Sequence, residues 1–383
     1  MSTIDYTLLA ILLAAILMTL WVYAGYPLFL WLCARLVRRE PLRTQELPQV
    51  TLVVTAHNEE KRIAQKLDNA LAQDYPPERL HVIVVSDAST DRTEEIVNGY
   101  RERGVKLMVI PERRGKHYGQ GRGVQAAATD IVVLSDATTF LKNDALRTIV
   151  RNFADPEIGC VSGQDGIKED ADTSAGEGAY VRYEMALRRL ESRVTSIVGA
   201  SGSFFAVRKD MCERWIDDMS SDFYLPIMTY MKGFRSIIDE QAIGYYSVLH
   251  DPSREFQRKL RTIVHGLEVI FHLKGILNPF RYGIYAIQMW SHKLLRWLVP
   301  FALIAAYAAN VALWSAGLWL QVLLVLQSAL YVLALAGYLI KSLQQYLILR
   351  IPLYFIMVNL SILVAWIQYW RGEKYVVWKA TER

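Results

Sequence analysis

The chain is short of cysteine, of repeats and, over long stretches, of charge. Three cysteines in 383 residues, Cys33, Cys160 and Cys212, stand far apart. They offer neither the dense pairing of a disulfide scaffold nor the close spacing of a zinc site, and they fit a reducing compartment. No internal repeat, low-complexity tract or long Gly/Ser linker interrupts the chain, which excludes solenoids and tethered arrays. The net charge of +5 is modest. Its arginines and lysines gather beside apolar runs, where anionic lipid headgroups are the simplest partner. No aromatic–basic reading pattern for nucleic acid is present, so nucleic acid is not an expected partner.

Charge is missing altogether from Tyr6 to Ala34 and from Trp297 to Ile340. A bilayer core needs about 20 apolar residues in helical form. The first run is long enough for one span. A cleaved signal peptide would have a basic start and an apolar core of roughly 7–15 residues. Here the run is longer, carries Trp21, Tyr23, Tyr26 and Trp31, and has no basic start, so it reads as a retained span. The second run suits two spans (297–314 and 318–340) with Ser315-Ala316-Gly317 as the turn. It holds no ionisable residue, which argues against a transport path. A third apolar run, 351–370, contains Asn359, Ser361 and Gln368 and either spans or lies in the interface plane. Arg35, Arg38, Arg39 and Arg43 follow the first span and only Asp5 precedes it. The positive-inside rule then places the N-terminus outside and the middle of the chain in the cytoplasm, at the inner (plasma) membrane. Three later spans would leave Arg371, Lys374, Lys379 and Arg383 outside, in conflict with the same rule. The expected division is a transmembrane helix (1–36), a cytoplasmic catalytic domain (37–275), and interfacial and transmembrane helices with a basic tail (276–383).

The middle of the chain has globular composition. Val50–Thr55, Val82–Ser86, Val105–Ile110 and Ile131–Leu134 read as buried strands, with Phe204–Val207 a later one. Amphipathic stretches lie between them: one from Glu59, capped by Asn58, to about Gln73, one after Ser89-Thr90-Asp91, and one from near Asn143. Asp165–Gly178 reads as a mobile loop. Strands alternating with helices of this length predict an α/β fold with a mostly parallel sheet covered on both faces. Ligands of such sheets bind at the carboxyl ends of the strands. Three acidic loop heads fall there: His57-Asn58-Glu59, Ser86-Asp87-Ala88 and Ser135-Asp136-Ala137-Thr138.

Asp136 follows a buried strand, where a carboxylate can hold a hard cation such as Mg²⁺ or Mn²⁺ together with phosphate oxygens. Such an ion neutralises charge on a departing nucleoside diphosphate. The plain alternative is a turn cap. Asp87 could accept from ribose or base donors, or cap its own turn. Glu59 could touch a nucleobase, or serve a helix dipole. Lys116, after Arg113-Arg114-Gly115, suits a diphosphate or a solvated basic loop. Asp222 opens an apolar helix, either as a cap or as a general base aimed into a cleft. Gly199-Ala200-Ser201-Gly202 is a small-residue loop that admits a sugar ring or simply turns. Gln257-Arg258, with Arg261, reads as a membrane flank or a diphosphate clamp.

Taken in order, these motifs resemble the membrane-bound family 2 glycosyltransferases, which include cellulose, chitin and hyaluronan synthases and bacterial surface-polysaccharide transferases. The resemblance runs from about Leu47 to Lys274 and extends more weakly into Ser291–Phe301. It implies a GT-A nucleotide-sugar-binding domain flanked by transmembrane helices at both ends. By resemblance, Thr55, His57, Glu59, Asp87, Lys116, Ser135 and Asp136 bind the donor. Asp136 and Thr138 stand at the metal motif, Gly199, Ala200, Ser201 and Gly202 at the acceptor loop, and Gln257, Arg258 and Arg261 at a diphosphate clamp. Asp222 takes the position of the base. Four departures stand out: Ser86, Thr138 and Ser221 replace acidic residues, and Arg261 with Thr262 departs from the usual Gln-x-x-Arg-Trp. The last speaks against processive polymer synthesis. The resemblance therefore implies an inverting transferase that moves a sugar from a nucleoside diphosphate, commonly UDP, to a lipid-linked or growing polysaccharide acceptor. Its metal would be Mg²⁺ or Mn²⁺, and oligomeric or export partners stay open. The altered acids favour a second reading, a non-catalytic nucleotide-sugar-binding or assembly subunit of an export complex.

Overall fold

The computed structural model describes residues 2–37, 39–167, 175–246, 252–373 and 375. An eight-stranded sheet forms the centre. Its strands are β1 (Val50–Ala56), β2 (Leu80–Asp87), β3 (Val105–Ile110), β4 (Ile131–Asp136), β5 (Phe140–Leu141), β6 (Ile158–Ile167), β7 (Phe204–Arg208) and β8 (Arg235–Tyr246). They lie in the order β3-β2-β1-β4-β7-β6-β8-β5. The β-branched runs at β1, β2 and β4 are buried on both faces, which is why they pair in parallel at the centre. β3 adds to β2 in parallel, whereas β7 runs antiparallel to β4 and to β6. The sheet is mixed, with the parallel pairing concentrated in its N-terminal half.

Two apolar cores cover the two faces. One gathers Val53, Val85 and Phe205 with helices from the later part of the chain. The other packs Leu52, Val54 and Val84 against Ile63, Leu67 and Ala70. The helix Lys116–Ala126 lies unusually close to the sheet. A Cβ at Gly123 would stand 2.3 Å from Val53 Cγ1, so only glycine permits this approach.

Two local expectations are corrected. The helix after β1 starts at Ile63, not Glu59. Asn58 does not cap it but adopts φ 55, and its Oδ1 accepts from Thr90 N at 2.8 Å. The chain from Asp165 to Gly178 is not one loop. β6 runs to Ile167 and a helix starts at Ala175, with 168–174 outside the described residues.

Among the described residues, four helices flank the domain with the length and apolarity to cross a membrane: Thr3–Leu36, Pro279–Ala312, Leu318–Leu339 and Leu347–Trp370. The second begins well before Trp297, because it continues through a π turn at Trp290–Leu294. The first two are antiparallel. Trp21 Nε1 donates to Ser291 Oγ at 3.0 Å near one end, and Leu12 packs with Ala309 and Leu313 toward the other.

Candidate active site

The parallel pairing of β1 with β2 and β4 brings Ala56 beside Ser86 and Thr55 beside Asp136. The three acidic loop heads therefore meet at one edge. A cleft there is lined by Thr55, His57, Glu59, Asp87, Lys116, Asp136 and Thr138. The two loops on its rim are tied together. Glu59 N donates to Thr93 Oγ1 at 2.8 Å and Glu60 N to Asp91 Oδ2 at 3.0 Å. His57 Nδ1 stands 2.6 Å from the Asp87 carbonyl. Asp87 is nearly buried, and its carboxylate accepts from Arg114 N and Gly115 N, each at 2.8 Å. It thereby anchors the entrance of the helix that carries Lys116. Gly115, at φ 92, makes the turn.

Lys116 reaches across the cleft. Its ammonium lies 2.5 Å from Asp136 Oδ1 and donates to the Gly202 carbonyl at 2.7 Å. Beyond it opens a second cavity of about 350 Å³, lined by Asp136, Thr138, Ala200, Ser201, Gly202 and Asp222 among others. Arg258 and Arg261 also line it, while Gln257 is solvent-exposed. Lys116, Asp136 and Thr138 belong to both spaces, so the two are continuous.

Asp222 lies in the first turn of the helix Ser221–Met231. Ser220 Oγ donates to its Oδ1 at 2.6 Å. A Cβ on Gly202 would come within 3.0 Å of Oδ2, so the small-residue loop grips this carboxylate. Burial alone would raise its pKa, but His117, Lys116 and the Ser220 hydroxyl hold it below the usual carboxylate value. Burial lowers the pKa of His117 to about 3, against the pull of the Asp222 carboxylate. Its ring stacks edge-on with His265 at 5.8 Å.

Besides Gln257, two residues expected in the site stand elsewhere. Ser135 is buried and accepts from Lys66 Nζ at 2.7 Å, so its hydroxyl faces away from the cleft. Gly199 packs against Phe223 rather than lining the cavity. Lys66 itself, along with His117, His265 and Asp165, was not anticipated. Lys66 is fully buried beneath the Asp136 loop, where burial lowers its pKa to about 7. Its sequence signal is its place on the apolar face of its helix with Ile63, Leu67 and Ala70.

A sheet whose parallel strands end in acidic loops over a split nucleotide-and-acceptor space is the GT-A glycosyltransferase arrangement. Residues 51–216 match the family model described as glycosyl transferase family 2. Relatives include a poly-beta-1,6-N-acetyl-D-glucosamine synthase of Staphylococcus aureus, 23% identical over 271 residues, and an N-acetylglucosaminyltransferase of Rhizobium meliloti, 26% identical over 294 residues. The matches cover 68% and 72% of this chain and 65% of each relative, so just under two thirds of those proteins is spanned. A mannosyltransferase from Pyrobaculum calidifontis, solved in complex with GDP-Man and Mn²⁺, aligns with a TM-score of 0.73 at 25% identity, covering 95% of this chain and 100% of that one.

Proposed function

We propose that the protein is a membrane-anchored, inverting, metal-dependent glycosyltransferase. It takes a sugar from a nucleoside diphosphate and places it on a lipid-linked or growing surface-polysaccharide acceptor. One observation carries this reading: the cavity that holds Asp222 is continuous with the acidic cleft through Lys116, Asp136 and Thr138. Nucleoside in the first space and acceptor in the second would meet at Lys116 and Asp136.

Asp222 would take the proton from the acceptor hydroxyl. The oxygen then bonds to the anomeric carbon as the bond to the diphosphate breaks on the opposite face, and the diphosphate leaves with that electron pair. The residues fit a divalent cation shared with phosphate. Among the described residues no cluster of three ligands would cage an ion by itself, yet Mg²⁺ and Mn²⁺ commonly take one or two carboxylates and complete their shell with phosphate and water. Asp136, with Thr138 beside it, supplies that attachment, and a bound ion would neutralise charge on the leaving diphosphate. Lys116, now paired with Asp136, would move onto the phosphates when donor arrives.

The decisive test is release of nucleoside diphosphate by the protein in native membranes. The donor panel includes UDP-GlcNAc and GDP-Man, the sugars suggested by the relatives and the structural neighbour, each with Mn²⁺, Mg²⁺ or chelator. Release from one donor, lost with chelator and in Asp136→Ala, is the expected result. Donor binding without release under any acceptor condition would instead favour the assembly-subunit reading, which the altered Ser86, Thr138 and Ser221 motivate.

A further inference from the structure

Part of the wall around Asp222 comes from beyond the last apolar helix. Among the described residues that line this cavity, all but one fall between Lys116 and His265, and the exception is Tyr375. It lies outside the residues matched to the family model and just past the end of Leu347–Trp370.

A local turn brings it there. Gly372 takes the left-handed conformation, at φ 73. Its N donates to the Tyr369 carbonyl at 3.0 Å, and Glu373 N donates to the Gln368 carbonyl at 3.1 Å. This is the Schellman pairing, which ends a helix and turns the chain away from its axis. Among the described residues nothing crowds a Cβ built on Gly372, so glycine serves the backbone angle there and not a close approach.

Tyr375 is then fastened twice. Its hydroxyl donates to Gln368 Oε1 at 2.7 Å, back on the last turn of the helix. Its carbonyl accepts from His265 Nε2 at 3.0 Å. A carbonyl only accepts, so Nε2 carries the His265 proton. The Tyr375 side chain packs against the core that holds Phe223 and Leu267. His265 meets the ring of His117 edge-on at 5.8 Å, and Ser221 N donates to His117 Nδ1 at 3.3 Å. A chain of contacts thus runs from the tail to the residue beside Asp222. Chain ends fray unless they are tied down, and ordering them costs conformational entropy. Here the ties hold an aromatic side chain against the catalytic cavity. That placement matters chemically, because a base that can deprotonate an acceptor hydroxyl can also deprotonate water, and enclosure of the site is what suppresses hydrolysis.

We infer that Tyr375 is an acceptor-site residue: it completes the wall of the Asp222 cavity, bars water from the base and holds the acceptor hydroxyl in place. The inference rests on the transferase reading and adds to it a residue from the C-terminal tail. With the wall closed, Asp222 takes the acceptor's hydroxyl proton, that oxygen bonds to the anomeric carbon, and the nucleoside diphosphate leaves with the electron pair of the broken bond. With the wall open, water gives up the proton and supplies the oxygen instead, and the products are free sugar and nucleoside diphosphate.

The test uses the full chain in native membranes and, separately, in phosphatidylcholine nanodiscs, where water is the acceptor. The donor is the nucleotide sugar from which the wild-type protein releases nucleoside diphosphate. Transfer is read as radiolabelled sugar retained by the native membranes, and hydrolysis as free sugar formed in the nanodiscs. Tyr375→Ala should raise hydrolysis about threefold or more and lower transfer about tenfold or more, with donor KM changed by less than about twofold. Gly372→Ala should move both readings in the same directions, because alanine resists the left-handed turn that aims the tail. Tyr375→Phe keeps the ring and should stay within about twofold of wild type in both. Parallel loss of hydrolysis and transfer in Tyr375→Ala would reduce Tyr375 to structural support. Both readings unchanged would leave it without a role in the reaction. Either result overturns the inference while the transferase reading stands. Absence of nucleoside diphosphate release by the wild-type protein from every donor removes that reading, and this inference with it.

Discussion

Replacing Asp222 by asparagine keeps the side chain's size and removes only its charge and basicity. The Ser220 hydroxyl, 2.6 Å from Oδ1, can donate to an amide oxygen as well as to a carboxylate. Folding should therefore survive. Asp222 does not line the nucleotide cleft, so donor KM should change by no more than about threefold, as expected when the lost interaction acts only in the transition state. A positioned general base contributes roughly 10²–10⁴ in rate, or about 2.7–5.5 kcal/mol of barrier. Steady-state transfer in native membranes should show kcat reduced by that amount. The pH profile gives an independent check. Burial acts to raise the Asp222 carboxyl, but His117, Lys116 and Ser220 hold it low, so the base is already ionised at neutral pH. Wild-type kcat/KM should stay flat as pH falls from neutrality and drop only below the ordinary carboxylate range. Normal kcat in Asp222→Asn would refute the assignment. So would an equal loss in Asp165→Asn with Asp222→Asn unaffected, since Asp165 lines the same cavity.

Gly202→Ala places a methyl 3.0 Å from Asp222 Oδ2 and should lower transfer roughly 10–100-fold while sparing nucleotide binding, because it displaces only the base. A variant with unchanged kcat would show that the loop does not position Asp222. Lys116→Met removes the 2.5 Å ion pair with Asp136 and should raise donor KM about tenfold; calorimetric titration of nucleoside diphosphate checks this, and unchanged affinity counts against it. Burial lowers Lys66 to about 7 from the ordinary 10.5, so between those pH values the unfolded chain binds the extra proton. Stability should rise with pH across that window by on the order of 5 kcal/mol, and Lys66→Met should flatten the rise in thermal unfolding of nanodisc-embedded protein.

The central strands were legible because a run such as Val50–Ala56 is apolar on both faces, and only a strand buried on both sides asks for that. The acidic loop heads were legible for the same reason, since each follows such a run directly. The later half of the sheet was not, because β6 pairs antiparallel with β7 and parallel with β8, joining segments far apart in sequence. Ser135 stands apart from the cleft because a motif fixes the backbone position and not which way a small side chain turns, whereas Gly199, with no side chain to turn, lies where the loop backbone runs against Phe223. Lys66 was overlooked although it occupies an apolar-face position. A charge at such a position ordinarily snorkels to water, and here the Ser135 hydroxyl and Thr139 carbonyl accept from it instead. His117 follows the Gly-Lys pair immediately, yet only the fold brings Ser221, Asp222 and His265 to it from elsewhere in the chain.

The course of the last helix bears on the conflict over the basic tail. Trp21 meets Ser291, so the first helix and Pro279–Ala312 share an end near the catalytic domain. Leu318–Leu339 returns antiparallel, with Tyr307 bonded to Ser328 and Gln327 to the Leu303 carbonyl, and so ends on the domain side again. Leu347–Trp370 is long and apolar enough to cross, yet its contacts hold both of its ends near the domain. A Cβ at Gly337 would meet Leu349 O at 3.3 Å, Lys259 donates to Tyr354, Phe271 stacks on Tyr369, and His265 bonds to the Tyr375 carbonyl. Both ends of the helix thus lie along Pro252–His272, and near its C-terminal end Trp366 Nε1 donates to the Trp297 carbonyl at 2.8 Å. The arrangement fits a helix lying in the interface plane beside the domain rather than a fourth crossing. With three crossings the N-terminus and Arg371 would stand on opposite faces, as the positive-inside rule asks. Single cysteines at Ser2 and Glu373, in a chain freed of its own three, test this in intact cells with a membrane-impermeant maleimide. Labelling at position 2 and protection at 373 until the membrane is opened are expected. Equal labelling of both from outside would restore the fourth crossing and separate Tyr375 from the catalytic cavity that it lines.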